Sequence, residues 1–199
     1  MNILITSIVM LVTLCVEPLA TRGFAQQPSP ALVQDVLSSL NDLRTNPSSF
    51  IPKLREYRTY MRTRTKDLAA LDAAIAEATT RLSTEKSLAA VNMQGALLLA
   101  AQDHAKDITQ NGVLGHTGSN KSSPVDRVKK YAPLPRVAEV VTYGFTTADM
   151  ILASFIVDQD TPNRAHREIL LNSTYTMVGI AMATHKKYGT SCVIVFGGM

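Results

Sequence analysis

Near its carboxyl end the chain reads TSCVIVFGG, in which Cys192, Ile194 and Phe196 alternate with Val193 and Val195. A strand with apolar side chains at every position is buried on both faces, so the rest of the chain has to cover it from two sides. The run from Met177 to Thr184, separated from it by HKKYG, makes the pair a hairpin. Upstream, the spacing is helical. Pro30 stands where a first turn tolerates it, and Leu32, Val33, Val36, Leu37, Leu40 and Leu43 follow at helical intervals up to Asn46-Pro47. Further helices are expected over about 48–61, 67–82 and 93–110. The last carries the stripe Leu97, Ala101, His104, Ala105 and Ile108 and is stopped by Asn111-Gly112. After a Gly/Ser/Thr/Asn-rich loop, Val140 to Tyr143 reads as a short strand. Thr146 with Asp149 resembles a capping pair opening a helix through Ile151, Leu152 and Phe155, and another helical turn begins near His166. Helices first and strands last indicate an α+β domain rather than a βαβ repeat.

The opening of the chain sets the compartment. Ile3 to Val16 is an apolar run short for a bilayer, followed by Gly23-Phe24-Ala25 before QQPSP. Residues 1–25 are therefore expected to be a signal peptide and residues 26–199 one domain, secreted to the extracellular space or periplasm. An uncleaved anchor is the alternative, because the leading segment has no Lys or Arg. With 46% hydrophobic and 18% charged residues the chain is neither disordered nor a solvated filament. The two cysteines, Cys15 and Cys192, exclude a disulfide framework and any CxxC site, so a metal would have to be held by His and carboxylate. Once the leader is removed Cys192 is the remaining thiol, and its place in an apolar strand predicts burial.

Four residues lie in polar junctions: His116 in GHTGSN, Glu139 in AEVV, Asp158 in FIVDQD and His166 in NRAHRE. Ile151, Phe155 and Asp158 fall on one helix face, so the carboxylate points inward and needs a cation, a metal or hydrogen-bond donors. Two imidazoles and two carboxylates suit Zn²⁺ or another divalent metal, with the histidines ligating and the acids orienting them or a bound water. Scattered caps and ion pairs are the plainer reading of the same residues. His104, on an apolar stripe, reads as a hydrogen-bonded core histidine. His185, beside Lys186 and Lys187, reads as exposed, and Arg127 and Arg164 as partners of acids or carbonyls. Lys53, Arg55, Arg58, Arg62, Arg64 and Lys66 stand against the single acid Glu56. Behind a signal peptide such a run faces an anionic lipid head group or cell-wall polymer rather than nucleic acid, or is a solvated helix face. GxSxG and HExxH are both absent, which removes support for a serine-hydrolase elbow or a zincin helix. Glu139 as general base on a water held by His116 and His166 stays chemically open.

Four blocks in order carry a family resemblance: LNDLRTNPSSF, LAAQDHAKDITQNGVLGHTGSNKSSPVDRVKKY, AEVVTYG, and VDQDTPNRAHREILLNSTYTMVGIAMATHKKYGTSCVIVFGG. The sequence resembles the CAP family (cysteine-rich secretory, antigen 5 and pathogenesis-related 1 proteins) in its bacterial-type branch. The resemblance implies a three-layer α-β-α sandwich with a central antiparallel sheet and a cleft tetrad. By motif position the tetrad is His116, His166, Glu139 and Asp158, the last replacing a Glu common in the family, with Asp160 and Glu168 as nearby fallbacks. GENI has become Ala138-Glu139-Val140-Val141, and GSDG has become Gly118-Ser119-Asn120-Lys121, so the surroundings of the tetrad differ from the family pattern. The function implied is that of a secreted monomeric binding module with a metal-competent cleft and affinity for lipid or sterol. The alternative is a metal-dependent peptidase or esterase using Glu139 as general base.

Overall fold

The computed structural model describes residues 30–199, and the signal-peptide reading of 1–25, with Cys15, lies outside the described residues. Strand β4 is central, as its two-sided apolar pattern requires. In chain order the strands are β1 (Asn92–Met93), β2 (Arg136–Tyr143), β3 (Met177–His185) and β4 (Gly189–Gly198). The sheet runs β1-β3-β4-β2, with β4 antiparallel to both long neighbours in the registers Val140↔Ile194 and Ile180↔Ile194. The two-residue β1 pairs parallel with β3, the one departure from an antiparallel sheet.

The helices are α1 (Pro30–Thr45), α2 (Ile51–Met61), α3 (Leu68–Thr84), α4 (Gly95–Asn111), α5 (Pro124–Lys129), α6 (Ala148–Val157) and α7 (Ala165–Leu170). Cys192, Ile194 and Phe196 face a core built with Leu40, Leu54, Leu71, Leu152 and other large side chains of α1, α2, α3 and α6. Val193 and Val195 face a second core under α4, much of it alanine: Ala100, Ala101, Ala105, Ala181 and Ala183. Alternation along one strand thus divides the interior into two, and the result is the three-layer sandwich.

The alanine-rich layer is thin because helix and strand backbones touch. A Cβ on Gly179 would sit 2.0 Å from the carbonyl carbon of Leu97, so only hydrogen fits between β3 and α4. The first turn of α4 is capped by the Gln94 side chain, which accepts from Leu97 N, and the helix ends at Gly112 in the left-handed region (φ 67°). The helix starts at Gly95 rather than Met93 because Asn92 and Met93 are taken by β1. Helix α6 is capped by Thr147, not Thr146: its side chain accepts from Met150 N. The expected loop after α4 contains α5, opened by a capping box of Ser123 and Asp126. Arg44, fully buried, donates to the carbonyls of Ala89, Leu170, Asn172 and Tyr175, tying α1 to two loops that bound the sheet. Cys192 is buried as expected, which pushes its thiol up to about 12. No helix among the described residues is long and apolar enough to cross a membrane.

Candidate functional site: two carboxylate-backed imidazoles

Glu139 lies on the β2 face that also carries Val137 and Val141, so its side chain enters the alanine-rich layer with no exposed surface. An isolated carboxylate would be costly there. Arg127 of α5, itself buried, answers it: one guanidinium nitrogen, Nη2, reaches Oε1 at 3.0 Å and Oε2 at 2.8 Å and also donates to the His116 carbonyl. His116 Nδ1 donates to Glu139 Oε1 at 3.0 Å, and its ring is 44% exposed. The loop that bears it is held from every side. Gly115 N donates to the Tyr143 hydroxyl, and His104 Nε2 donates to the Gly115 carbonyl at 2.8 Å. Asp107 accepts from the Ser119 amide and hydroxyl, each at 2.7 Å. His104 is the buried core histidine that its stripe predicts, and burial lowers its pKa.

The second imidazole is held by different means. Asp158 is the first residue past α6, in the left-handed region (φ 49°, ψ 44°), where its amide still closes the helix onto Ser154 O. That turn, rather than the helix face itself, aims the buried carboxylate inward. Oδ2 accepts from the His166 amide and Oδ1 from His166 Nδ1, both at 2.8 Å. Burial acts to raise the pKa of Asp158, but hydrogen bonds from His166 and Thr161 outweigh it and hold the carboxyl below its ordinary range. Asn163 (φ 57°) and Arg164 (φ 51°) are also left-handed. Arg164 spans the loop, donating to the Asp158 and Gln159 carbonyls and to Glu77. Arg167 secures the following helix by donating to the Ile156 and Val157 carbonyls and to Glu77. Asp160 is exposed, and Glu168 lies out toward Arg81, so neither fallback acid enters the pair.

The structure therefore brings all four predicted residues together. The His116 and His166 ring centroids are 6.2 Å apart. A carboxylate can only accept, so each Nδ1 carries a hydrogen, and Nε2 is the nitrogen of each ring that remains to ligate a metal. The carboxylates are occupied by imidazole and guanidinium donors, and among the described residues no group of three or more His, Cys, Asp or Glu side chains converges on one point. The donor set fits a divalent ion with two nitrogens, leaving the remaining positions to water. Two imidazoles on one tetrahedral Zn²⁺, with bonds of about 2.0–2.1 Å, have centroids about 5 Å apart, so the rings would close by about 1 Å. Glu139 is buried with both oxygens engaged, and its link to the cleft runs through the His116 ring.

The sequence profile of the cysteine-rich secretory protein family (CAP) matches residues 37–196. The chain belongs to the CAP family. Solved structures similar to this CAP domain include an outer surface protein of Borrelia burgdorferi (19% identity, TM-score 0.48, covering 64% of this chain and 88% of that one). Another is an extracellular SCP-domain protein of Bacillus anthracis (16% identity, TM-score 0.47, 65% of this chain and 39% of that one). A third is a cysteine-rich secretory protein of Staphylococcus aureus (15% identity, TM-score 0.40, 68% and 40%). This chain thus spans well under half the length of the last two. No curated protein sequence matches it at a significant level.

Two sequence expectations for the CAP domain change in the structure. His185 is buried, not exposed: the HKKYG turn folds its ring between Tyr143 and Tyr188, at 5.6 and 5.0 Å, and its Nδ1 accepts from the Lys187 and Tyr188 amides. The basic run also divides. Arg58 forms a two-pronged pair with Asp72, Lys53 meets Asp149, and Arg64 lies 3.7 Å over the Tyr60 ring, while Arg55, Arg62 and Lys66 stay exposed. The buried guanidiniums of Arg44 and Arg167 have no signal in the sequence beyond their flanking apolar residues.

Proposed function

We propose that this CAP domain is an extracellular or periplasmic binding module, acting as a monomer, whose cleft takes a divalent cation such as Zn²⁺ between His116 and His166. The observation that supports this reading is the pair of Nδ1–carboxylate hydrogen bonds, at 3.0 and 2.8 Å, which orient both rings and leave Nε2 as the ligating nitrogen of each. The ion would supply Lewis acidity toward a ligand oxygen. Glu139 and Asp158 hold the rings, and Arg127 holds Glu139. The exposed Arg55, Arg62 and Lys66 offer the module an anionic envelope surface, and lipid or sterol is its other partner class. Zn²⁺ titrated by calorimetry into metal-free protein is expected to show saturable one-site binding that is lost in a folded His116→Ala/His166→Ala variant. Equal binding in both would overturn the reading. Hydrolysis is the second reading, favoured by the open positions such an ion would retain. It predicts turnover of a peptide or ester panel that is lost in Glu139→Gln.

A further inference from the structure

Next to the imidazole pair, α2, β2 and α6 border an open cavity of about 250 Å³, and His166 and Asp158 form part of its wall. Tyr57, Met61, Phe145 and Phe155 contribute to its walls. The Tyr57 and Phe145 rings are 5.7 Å apart, and Phe155 packs 5.6 Å from the His166 ring. Treated as a sphere, such a volume has a radius of about 4 Å, so a group at its centre comes within the roughly 6 Å over which an aromatic face attracts a cation.

Two polar groups at the cavity lack partners. Tyr57 is only 6% exposed as a residue, and its hydroxyl, at the cavity surface, forms no hydrogen bond with another described residue. Asp160, at the rim, forms no ion pair among them either. Burial raises the Tyr57 phenol first, and the nearby Asp160, Asp158 and Tyr60 act in the same direction. The outer side of the same aromatic cluster already stacks a cation, since Arg64 covers Tyr60, whose ring meets Phe145 at 6.0 Å.

We infer that this cavity is a binding site for a compact organic cation of the quaternary-ammonium class, with the aromatic faces taking the cationic head and Asp160 balancing its charge. A purely apolar occupant would leave the Asp160 charge without a counter-charge. A primary ammonium would need three acceptors that the aromatic walls lack, whereas a fully methylated one needs none. Extended lipid tails and drug-sized ligands exceed the space, since their pockets usually begin at about 300 Å³. The inference does not require metal at the two histidines, though His166 and Asp158 border the cavity.

The test is a calorimetric titration of the metal-free protein with choline and with 3,3-dimethylbutan-1-ol, its neutral isostere. Choline is expected to bind saturably and about tenfold more tightly than the alcohol. Asp160→Asn, at an exposed position that leaves the fold intact, should cut choline affinity about three- to tenfold without changing that of the alcohol. Phe145→Leu should do the same, and His116→Ala should leave choline binding intact, which separates this site from the metal reading. Competition by phosphatidylcholine vesicles, but not phosphatidylglycerol vesicles, would assign the head group to a lipid surface. Binding of soluble choline alone would assign it to a free solute. Equal affinity for choline and the alcohol, an unchanged ratio in Asp160→Asn, or no saturable binding of either would overturn the inference.

Discussion

The two imidazoles of the cleft receive the same hydrogen bond from opposite kinds of structure. His116 rides a loop braced by Tyr143, His104, Asp107 and Arg127, and its acid stands on a sheet strand within a buried ion pair. His166 opens a short helix after a loop with three left-handed residues, and its acid is a helix cap whose carboxylate is matched by His166 itself. Rigidity on the first side comes from many partners. On the second it depends on one carboxylate and on a guanidinium threaded through the loop. Equal geometry does not imply equal tolerance.

The sharpest way to break the comparison is Arg127→Met. It leaves the buried Glu139 carboxylate without its guanidinium partner and should cost about 3–5 kcal/mol in urea unfolding. A cost no larger than that of Asp158→Asn would mean that the halves are braced alike. Asp158→Asn comes next, at about 1–3 kcal/mol, because one amide oxygen replaces two charge-assisted acceptors. It also carries a pH signature. The folded pKa of Asp158 is lowered, so between that value and the unfolded value of about 3.9 the unfolded chain binds more protons. The stability this group contributes is full above pH about 4 and fades as the pH falls through the folded pKa. Thermal melts between pH 6 and 2 should show a shallower acid limb in Asp158→Asn, whereas a parallel shift would deny Asp158 that role. The smallest effect is expected from Asn163→Gly, where relief of a left-handed φ of 57° should raise stability by about 0.5 kcal/mol. A loss there would show that the loop is not strained.

What the sequence disclosed follows the same divide. Periodicity located the long helices and the hairpin, because one-sided or two-sided burial writes a regular pattern. His104 was legible from its stripe, and the tetrad from motif order. Strand β1 and helix α5 were not legible, since two residues carry no period and a six-residue helix hides in a polar loop. His185 was misread because its neighbours are lysines, and a turn can fold one ring inward while its flanks stay in water. Arg44 shows the general difficulty: four carbonyls scattered over more than eighty residues satisfy it, and no local pattern announces such a set.

The absence of a side chain at Gly179 has a mechanical consequence. With the Leu97 backbone seated on β3 there is no slack through which α4 could slide or tilt, so the origin of the His116 loop is fixed relative to the sheet. The cleft then has one stationary jaw and one adjustable jaw. On the proposed reading, closing of the rings onto an ion would be carried by the 158–166 segment, and a spectroscopic label on that segment, rather than on the 115–123 loop, would register its uptake.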